Sequence, residues 1–445
     1  MSVKSILKGG LVVLLLQAVT IQAAITVTSV AAGYGHSLFL KSDGSLWSMG
    51  DNRSGQLGNG TIDGTNRPEQ IVASNVVAVA AGAGFSLFLK SDGSLWAVGH
   101  NGYGELGDGT WNDTNQPEQI ISSNVIAMAA AGPHSLFLKS DGSLWTMGAN
   151  WDVMDEVNLP QQIVSSNVVA MACGWQHSLF IKSDGSLWGV GINWDGQLGD
   201  GTFDDALLPE PIVSSNVVAI AGGFGHSLFI KSDGSLWAMG GNYYGQLGDG
   251  TLNYTNQPEQ IVSSNVVAVA AGNRHSLFLK SDGSLWAMGW NIYGQLGDRT
   301  FNDVHSPERI VPSGVIALAA AGNQNHSLFL KADGSLWAMG WNMWGQLGDG
   351  FTNEYSALPE QIYPSPAPVL TNSLSFASNL QFTAACQFGG TFYLLAGTDL
   401  AQPVSQWSTV ATNVINNRTN NLFSATLTNA VNADAGRKFY ILQSP

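Results

Sequence analysis

The stretch His275-Ser276-Leu277-Phe278-Leu279-Lys280-Ser281-Asp282-Gly283-Ser284-Leu285-Trp286 decides the fold of this 445-residue chain, because it occurs seven times with small changes. The tryptophans that end successive copies are separated by 49, 49, 43, 49, 49 and 51 residues. A fixed period of this length indicates one supersecondary unit that is copied along the chain. One copy cannot bury its own apolar face, so the copies must stack or close into a ring. The seven tryptophans are Trp47, Trp96, Trp145, Trp188, Trp237, Trp286 and Trp337.

Within the copy that spans residues 258–300, the sequence predicts four short strands and no helix. A proline starts the first strand, where no ladder donor is needed, which is typical of a sheet edge. The second strand is a continuous apolar run, as in a strand covered on both faces. The Asp282-Gly283 dipeptide predicts a two-residue hairpin turn between the last two strands. The four predicted strands are Pro258–Val262, Val266–Gly272, His275–Lys280 and Leu285–Gly289.

Four short strands in each of seven copies are typical of an all-β fold, the seven-bladed β-propeller. The alternative is a β-solenoid, but its coils are usually about half this length or less. The first copy begins at Ile25 with the apolar strand and lacks the strand that starts with proline. That strand occurs once more after the seventh copy, at Pro359–Tyr363. We therefore expect it to complete the first blade and to close the ring, which removes exposed sheet edges.

The N-terminal residues 1–23 have the pattern of an export signal. Lys4 and Lys8 supply positive charge, Leu11–Val19 is apolar, and small residues follow at Ala23 and Ala24. The apolar run is shorter than the roughly 20 residues that a membrane span needs. We therefore expect export to the periplasm or the cell exterior, with attachment to the cell surface left open and no transmembrane segment after removal of the signal.

After the repeats, which occupy residues 25–363, the composition changes. Residues 364–368 form a proline-rich and therefore semi-rigid linker. Residues 369–445 contain no copy of the repeat, and three segments with partial alternation predict strands, at Leu380–Ala384, Thr391–Leu395 and Lys438–Leu442. We expect a small β-sandwich-like domain, which could serve in attachment, in sorting or as a structural cap.

The charge pattern excludes nucleic-acid binding. The net charge is −15, and only 11% of the residues are charged. Seven lysines occupy one repeat position, so they are spread around the fold, and a nucleic-acid surface needs clustered cations.

The repeated polar residues predict structure rather than chemistry. Six histidines share one repeat position, where the second copy has Phe85. A metal ring is the alternative, but one residue per blade cannot converge on an ion at about 2.0–2.1 Å. We expect each histidine to make a hydrogen bond that ties neighbouring strands. The repeated aspartates fit turns, because each loop offers one acid and a calcium loop needs several. Cys173 fits a small buried position, and a disulfide with Cys386 is left open.

Seven aromatic residues in the loops are the candidate partner-binding residues. They differ from blade to blade, which suits recognition by loops on a rigid scaffold, and aromatic residues are enriched at interface hot spots. Alternatively, they are wedged between blades and seal the core. The third copy has lost the Gly-Gln-Leu-Gly-Asp-Gly segment, so we expect a notch beside Trp151. The candidates are Trp111, Trp151, Trp175, Trp194, Tyr243, Trp290 and Trp341.

These motifs resemble the regulator of chromosome condensation (RCC1) repeat family. The matching residues include Ala32-Gly33, His36-Ser37, Asp43–Trp47 and Asn242–Gly248, and the resemblance covers residues 25–363. It implies a seven-bladed β-propeller with repeats of roughly fifty residues. The founding member is a guanine nucleotide exchange factor. A secreted bacterial β-lactamase inhibitor of the family, which binds protein with an aromatic-rich face, is more similar in export, blade count and short loops.

From these observations we predict an exported, monomeric and non-enzymatic propeller that binds a protein partner through aromatic loops on one face. It needs no cofactor and no metal. The alternatives are a carbohydrate-binding module, a polysaccharide lyase, for which the sequence shows no convergent acid and base, and guanine nucleotide exchange, which rests on the family name alone.

Overall fold

A computed structural model describes residues 25–363, except 151–154, 323–324 and 353, and six strands between residues 369 and 443. The described part consists of strands, turns and loops. Within it, no helix has the length and apolar character required to cross a bilayer.

Seven antiparallel sheets of four strands each, the blades, follow one another along the chain. The first strands of blades 1 to 7 are β1 (Val27–Ala32), β5 (Val76–Ala81), β9 (Val125–Ala131), β13 (Val168–Cys173), β17 (Val217–Gly222), β21 (Val266–Ala271) and β25 (Val315–Ala320). The second strands are β2 (His36–Lys41), β6 (Phe85–Lys90), β10 (His134–Lys139), β14 (His177–Lys182), β18 (His226–Lys231), β22 (His275–Lys280) and β26 (His326–Lys331). The third strands are β3 (Leu46–Gly50), β7 (Leu95–Gly99), β11 (Leu144–Asn150), β15 (Leu187–Gly191), β19 (Leu236–Gly240), β23 (Leu285–Gly289) and β27 (Leu336–Trp341). The fourth strands are β4 (Thr65–Val72), β8 (Thr114–Ile121), β12 (Asp155–Val164), β16 (Ala206–Val213), β20 (Thr255–Val262), β24 (Val304–Val311) and β28 (Tyr355–Tyr363).

The first strand of each blade contacts the first strand of the next, and β25 contacts β1. The ring is therefore closed, and the first strands surround its axis. The fourth strands form the outer edges, and each carries a proline, which an edge strand tolerates because one side of its ladder is unpaired. This arrangement confirms the seven-bladed propeller.

The predicted way of closing the ring is wrong. Pro359–Tyr363 is part of β28 and pairs with β27 of its own blade, with Leu336 opposite Tyr363. Pro258–Val262 likewise lies in β20, the outer strand of the preceding blade. Every blade is thus one uninterrupted segment. The outer strand returns beside the third strand that it follows, because this closes a much shorter loop than pairing across the ring.

Side-chain and backbone contacts join blade 7 to blade 1 instead. The His326 imidazole Nε2 lies 3.0 Å from the Ser37 hydroxyl. The Gly350 N–H donates to the Asn66 carbonyl at 2.8 Å, and the Asn66 side-chain amide donates to the Gly350 carbonyl at 2.8 Å. The same kinds of contact join other neighbouring blades, so the seventh boundary is built as the others are.

The core lies between neighbouring blades. Leu277 and Leu285 of blade 6, for example, pack with Phe329 and Met339 of blade 7. Cys173 is buried in a similar cluster between blades 3 and 4, whereas Cys386 lies outside the described residues.

The repeated tryptophan is half-buried. The Trp286 ring stacks on Phe278 with 6.0 Å between the ring centroids. The Lys280 ammonium lies over the Trp286 ring, 4.3 Å from its centroid. Phe, Trp and Lys form this stack in every blade, so each lysine shields apolar surface with its stem and adds a cation–π contact.

The hairpin turn has three residues rather than the predicted two. Ser281 and Asp282 precede Gly283, and only the glycine has a positive φ, of 78°. The Gly283 N–H donates to the Lys280 carbonyl at 2.9 Å, as in a type I turn followed by a left-handed residue. The Asp282 carboxylate accepts the Ser284 N–H at 2.9 Å, so this aspartate serves the turn.

In blade 3 the deletion lengthens the strands. β11 has seven residues and β12 has ten, longer than the corresponding strands of most blades. Trp151 and the predicted notch beside it lie outside the described residues.

The C-terminal strands form two three-stranded antiparallel sheets with the orders β29-β30-β33 and β32-β31-β34. Packing of the two sheets into a sandwich stays a prediction. The strands are β29 (Val369–Asn372), β30 (Leu380–Ala385), β31 (Gly390–Gly397), β32 (Ser408–Ile415), β33 (Leu422–Leu427) and β34 (Phe439–Gln443).

Candidate functional site

The propeller has two different faces. Because the four strands of a blade alternate in direction, the turn between the first and second strands lies at the same end as the long loop between the third and fourth. We call this end the loop face. The opposite end, the turn face, carries the Asp-Gly hairpins and the connections between blades.

An asparagine holds each described long loop in one shape. In blade 6 the Asn291 side-chain amide donates to the Asp298 carboxylate at 2.9 Å, and the Asn291 side-chain oxygen accepts the Leu296 N–H at 3.0 Å. The Asp298 carboxylate also accepts the Thr300 N–H at 2.8 Å. The loop acids thus serve as turn residues, as predicted. The corresponding pairs are Asn52–Asn59, Asn101–Asp108, Asn193–Asp200, Asn242–Asp249 and Asn342–Asp349.

The residue after this asparagine points into solvent. In blades 4 to 7 it is apolar: Trp194 is 66% exposed, Tyr243 53%, Ile292 52% and Met343 39%. Blade 2 has a glycine at this position and blade 1 has Arg53. Exposed apolar side chains therefore follow one another over four neighbouring blades on a single face.

A second row of rings lies beside them and fills the boundaries between blades. Trp175 stacks on Phe224 at 5.5 Å between centroids, and Tyr244 lies 5.1 Å from Trp290. These rings are half-buried, so they seal the boundaries and still present an edge to solvent. The two rows together form what we call the aromatic arc, which comprises Trp175, Trp194, Phe224, Tyr243, Tyr244, Trp290, Ile292, Tyr293, Trp341 and Met343.

The arc contains five of the seven residues that the sequence singled out, namely Trp175, Trp194, Tyr243, Trp290 and Trp341. Trp111 is 46% exposed but lies in the loop of blade 2, outside the four blades of the arc. Trp151 lies outside the described residues.

Among the residues of this surface that sequence reasoning missed are Phe224, Arg274 and Asp195. Phe224 and Arg274 lie in turns between first and second strands, where Phe224 shares its repeat position with Trp175 and Arg274 shares its position with Gly35 and Gly225. Asp195 follows Trp194 and is half-buried. The repeat position that Asp195 occupies is held by Tyr244 and Tyr293 in two other blades. The presence of an acid where these blades have an aromatic residue was the signal that could have identified Asp195.

The loop face is strongly acidic. Its described loops and turns carry fourteen carboxylates and three arginines. On the turn face each blade contributes one lysine and one aspartate, so those charges balance. The negative charge of the propeller is therefore concentrated on the face that bears the aromatic arc.

The six repeated histidines tie blades rather than strands of one blade. The Ser276 hydroxyl donates to the Gln246 carbonyl at 2.7 Å, so it accepts the Nε2–H of His226 at 3.0 Å. Burial lowers the pKa of His226 from 6.5 to about 4. Each histidine contacts the serine of the next blade, and in the described part of the chain no three metal-ligating side chains converge.

Blade 2 departs from this pattern on the loop face. His100 Nδ1 lies 2.5 Å from the carboxylate of the buried Glu105, which stands where most blades have glutamine. The hydrogen bond to Glu105 raises the pKa of His100.

The closed ring of seven four-stranded blades, with its repeated Gly-Gln-Leu-Gly loops, defines a class of propeller. The chain matches the family model described as RCC1-like domain over residues 12–322 and again over 156–398. It belongs to the RCC1-like domain family. No curated protein sequence matches it.

Among solved structures, Prp20p from Saccharomyces cerevisiae is similar at 21% identity with a TM-score of 0.65, over 77% of this chain and 88% of that one. Human WBSCR16 is similar at 23% identity with a TM-score of 0.64, over 73% of this chain and 94% of that one. At these identities the likeness shows the shared fold. The Prp20p structure was described together with its binding to Gsp1p and histones.

Proposed function

We propose that the protein is a binding propeller that holds a protein partner on the aromatic arc of its loop face. The observation that carries the proposal is the run of exposed apolar residues over blades 4 to 7, all at the one loop position after the asparagine. Contiguous exposed apolar surface on a soluble scaffold is typical of an interaction site. Aromatic side chains are also the most frequent anchors of protein interfaces.

Two further features support a protein as the partner. In every described long loop, the asparagine makes the same kind of hydrogen bonds, whereas the exposed residue that follows it varies from blade to blade. This combination suits recognition by a preformed surface. Structures of the same fold bind proteins: yeast RCC1 was solved with Kap60 bound, and Prp20p was described with Gsp1p and histones. Those partners are theirs, and this chain's partner is a separate question.

We further propose that the protein acts outside the cytoplasm and has no enzymatic activity of its own. The N-terminal pattern of residues 1–23 supports export. The exposed loop position that differs from blade to blade is apolar in blades 4 to 7, which supports a binding role.

Affinity capture from the native culture supernatant tests the proposal. The bait is the wild-type protein, and the test variant carries Trp194→Ser and Tyr243→Ser, which remove two exposed rings from the arc. The matched control carries Val169→Ser and Val218→Ser, two turn-face residues that are each 56% exposed. We expect a protein that the wild type and the control retain and that the test variant loses.

Equal recovery of every protein by all three baits would contradict the proposal, as would loss with the turn-face control alone. The same three proteins on a glycan array address carbohydrate binding. Saturable retention of a glycan that depends on Trp194 and Tyr243, without a captured protein, would favour the carbohydrate alternative.

A further inference from the structure

Three positions meet on the loop face at the boundary between neighbouring blades. One position lies in the long loop of the preceding blade. The other two belong to the following blade: the last residue of the turn between its first and second strands, and the residue directly after its third strand. Between blades 5 and 6 they are Tyr244, Arg274 and Trp290. The Arg274 guanidinium carbon lies 5.1 Å from the Tyr244 ring centre and 5.6 Å from that of Trp290, and its Nη1 donates to the Tyr244 hydroxyl at 3.1 Å. An arginine of the chain itself thus occupies this boundary.

A second arginine occupies the boundary between blades 7 and 1. The three positions there are Trp344, Gly35 and Asp51, and the other two side chains pack against the glycine: a Cβ on it would lie 3.0 Å from Trp344 Cδ1 and 3.2 Å from Asp51 Cβ. Arg53 lies over the tryptophan ring: its guanidinium carbon is 3.9 Å from the Trp344 ring centre. Its Nε and Nη2 each donate to an Asp51 carboxylate oxygen at 2.9 Å. This boundary therefore holds a guanidinium between an aromatic ring and a carboxylate.

The boundary between blades 4 and 5 has the carboxylate but no arginine. Its three positions are Asp195, Gly225 and Gly241. The Asp195 carboxylate lies against both glycine backbones: a Cβ at Gly225 would clash with its Oδ2, and one at Gly241 would lie 3.4 Å from it. The Tyr243 hydroxyl donates to Asp195 Oδ1 at 3.4 Å. We call this group, formed by Asp195, Gly225, Gly241 and Tyr243, the Asp195 site.

The charge of the Asp195 site is not balanced within the described part of the chain. The ion pairs found there are Arg53 with Asp51 and His100 with Glu105. Partial burial raises the pKa of Asp195, and the Tyr243 hydrogen bond and the nearby Arg274 charge only partly oppose this effect. Partial burial of an ionised carboxylate without a cation in contact is unfavourable. An incoming cation would stabilise the ionised form.

We propose that the Asp195 site binds the guanidinium group of an arginine side chain that belongs to the protein partner. The inference rests on the proposed function of the loop face and names the chemistry that the partner must present. A guanidinium is planar and donates two parallel hydrogen bonds to one carboxylate. The Tyr243 ring beside the carboxylate offers a cation–π contact, as Trp344 does for Arg53. The surplus of carboxylates on the loop face attracts a cationic partner segment.

A small peptide probe tests this site without the natural partner. The probe is acetyl-Gly-Arg-Gly-amide, and its uncharged match is the same peptide with citrulline in place of arginine. The protein is labelled with 3-fluorotyrosine, and the ¹⁹F resonance of residue 243 is assigned with a Tyr243→Phe variant. Titrations followed by ¹⁹F NMR give the dissociation constants for the wild type, Asp195→Asn and the control Asp63→Asn. Asp63 is an exposed acid on the loop face of blade 1, so its variant removes the same charge elsewhere.

We expect saturable binding of the arginine peptide by the wild type and by Asp63→Asn, and binding weaker by about ten-fold or more for citrulline or for Asp195→Asn. Equal binding of both peptides, or equal weakening by the two variants, would overturn the inference. A captured partner with no response to the arginine peptide would sink the Asp195 site and leave the proposed function standing. Specific peptide binding with no captured partner would support the Asp195 site and count against the proposed function. Circular dichroism of Asp195→Asn confirms that the variant is folded.

Discussion

At the scale of single residues, the buried histidines show what the sequence could and could not predict. Their repetition, with Phe85 at the same position, indicated structural hydrogen bonds. The partner was not predictable, because a serine follows this position in every blade and the sequence does not say which serine is near. Packing of neighbouring blades decides it: His226 meets Ser276, fifty residues later.

These histidines make the stability of the fold depend on pH. Burial lowers the pKa of His226 to about 4 from an unfolded value of 6.5. Between these values the unfolded chain binds one more proton than the folded chain at this residue. The free energy of unfolding therefore has its full value, as far as these histidines are concerned, above about pH 6.5. As the pH drops from there toward 4, it falls by about 1.4 kcal/mol per pH unit for each such histidine.

Replacement of one histidine by the residue that blade 2 carries tests this linkage. We expect His226→Phe to reduce the slope of unfolding free energy against pH, between pH 6 and pH 4.5, by about 1.4 kcal/mol per pH unit. The reciprocal change, Phe85→His, supplies a donor for the Ser135 hydroxyl and should increase the slope by a similar amount. Urea unfolding at a series of pH values measures both. Unchanged slopes in both variants would mean that the buried histidines do not control acid stability.

The aromatic arc was partly predictable at this scale. Variation from copy to copy pointed to Trp194 and Tyr243, and both are exposed. The sequence did not reveal Arg274, because its contacts are with Tyr244 of the preceding blade, thirty residues earlier. The packing of Asp195 was hidden in the same way, because it lies against glycines of the next blade.

At the scale of the element, the hairpin between the second and third strands illustrates how turn chemistry is repeated. The Asp-Gly pair predicted a turn at the right place but with two residues instead of three. The difference lies in the aspartate: its side chain accepts the Ser284 N–H, and Gly283 alone takes the positive φ. A dipeptide pattern does not distinguish these two turn geometries.

The hairpin glycine should be sensitive to substitution. Gly283→Ala places a Cβ 2.8 Å from the Gly314 nitrogen at a φ of 78°. We expect a loss of roughly 1–2 kcal/mol of unfolding free energy, because a left-handed conformation disfavours any side chain. Chemical denaturation measures it. Gly314→Asn is the control and should change stability by less than about 0.5 kcal/mol, because asparagine takes a positive φ at this position in five other blades. A harmless Gly283→Ala would contradict the described turn.

At the scale of the whole molecule, the number of blades could be predicted from the repeat. The point in the repeat at which each blade begins could not. A periodic sequence has no marked origin, so the strand at Pro359–Tyr363 could belong to either end of the chain. Its pairing with β27 settles the matter. Neighbouring blades are therefore joined by side chains and short backbone contacts, with no strand shared across the point of closure.

A circular permutant tests this type of closure. We expect a chain that begins at Val266, joins residue 363 to residue 25 by a short Gly/Ser linker and ends at Asn265 to keep its thermal midpoint within a few degrees. All four strands of each blade stay together in it. The control permutant opens the chain between Asp282 and Gly283, inside a blade, and should lose markedly more. If calorimetry shows that the thermal midpoint falls equally in both permutants, the boundary between blades tolerates a chain break no better than the interior of a blade does.

The central claim is that the aromatic arc of the loop face is the contact surface of a protein partner. Hydroxyl-radical footprinting, read by mass spectrometry on the protein alone and with the captured partner, tests it most directly. The account predicts that oxidation of Trp194, Tyr243 and Met343 falls by several-fold in the complex, while the turn-face residues Val169 and Val218 stay as reactive as before. Protection of Val169 and Val218 with unchanged oxidation of the arc would contradict it.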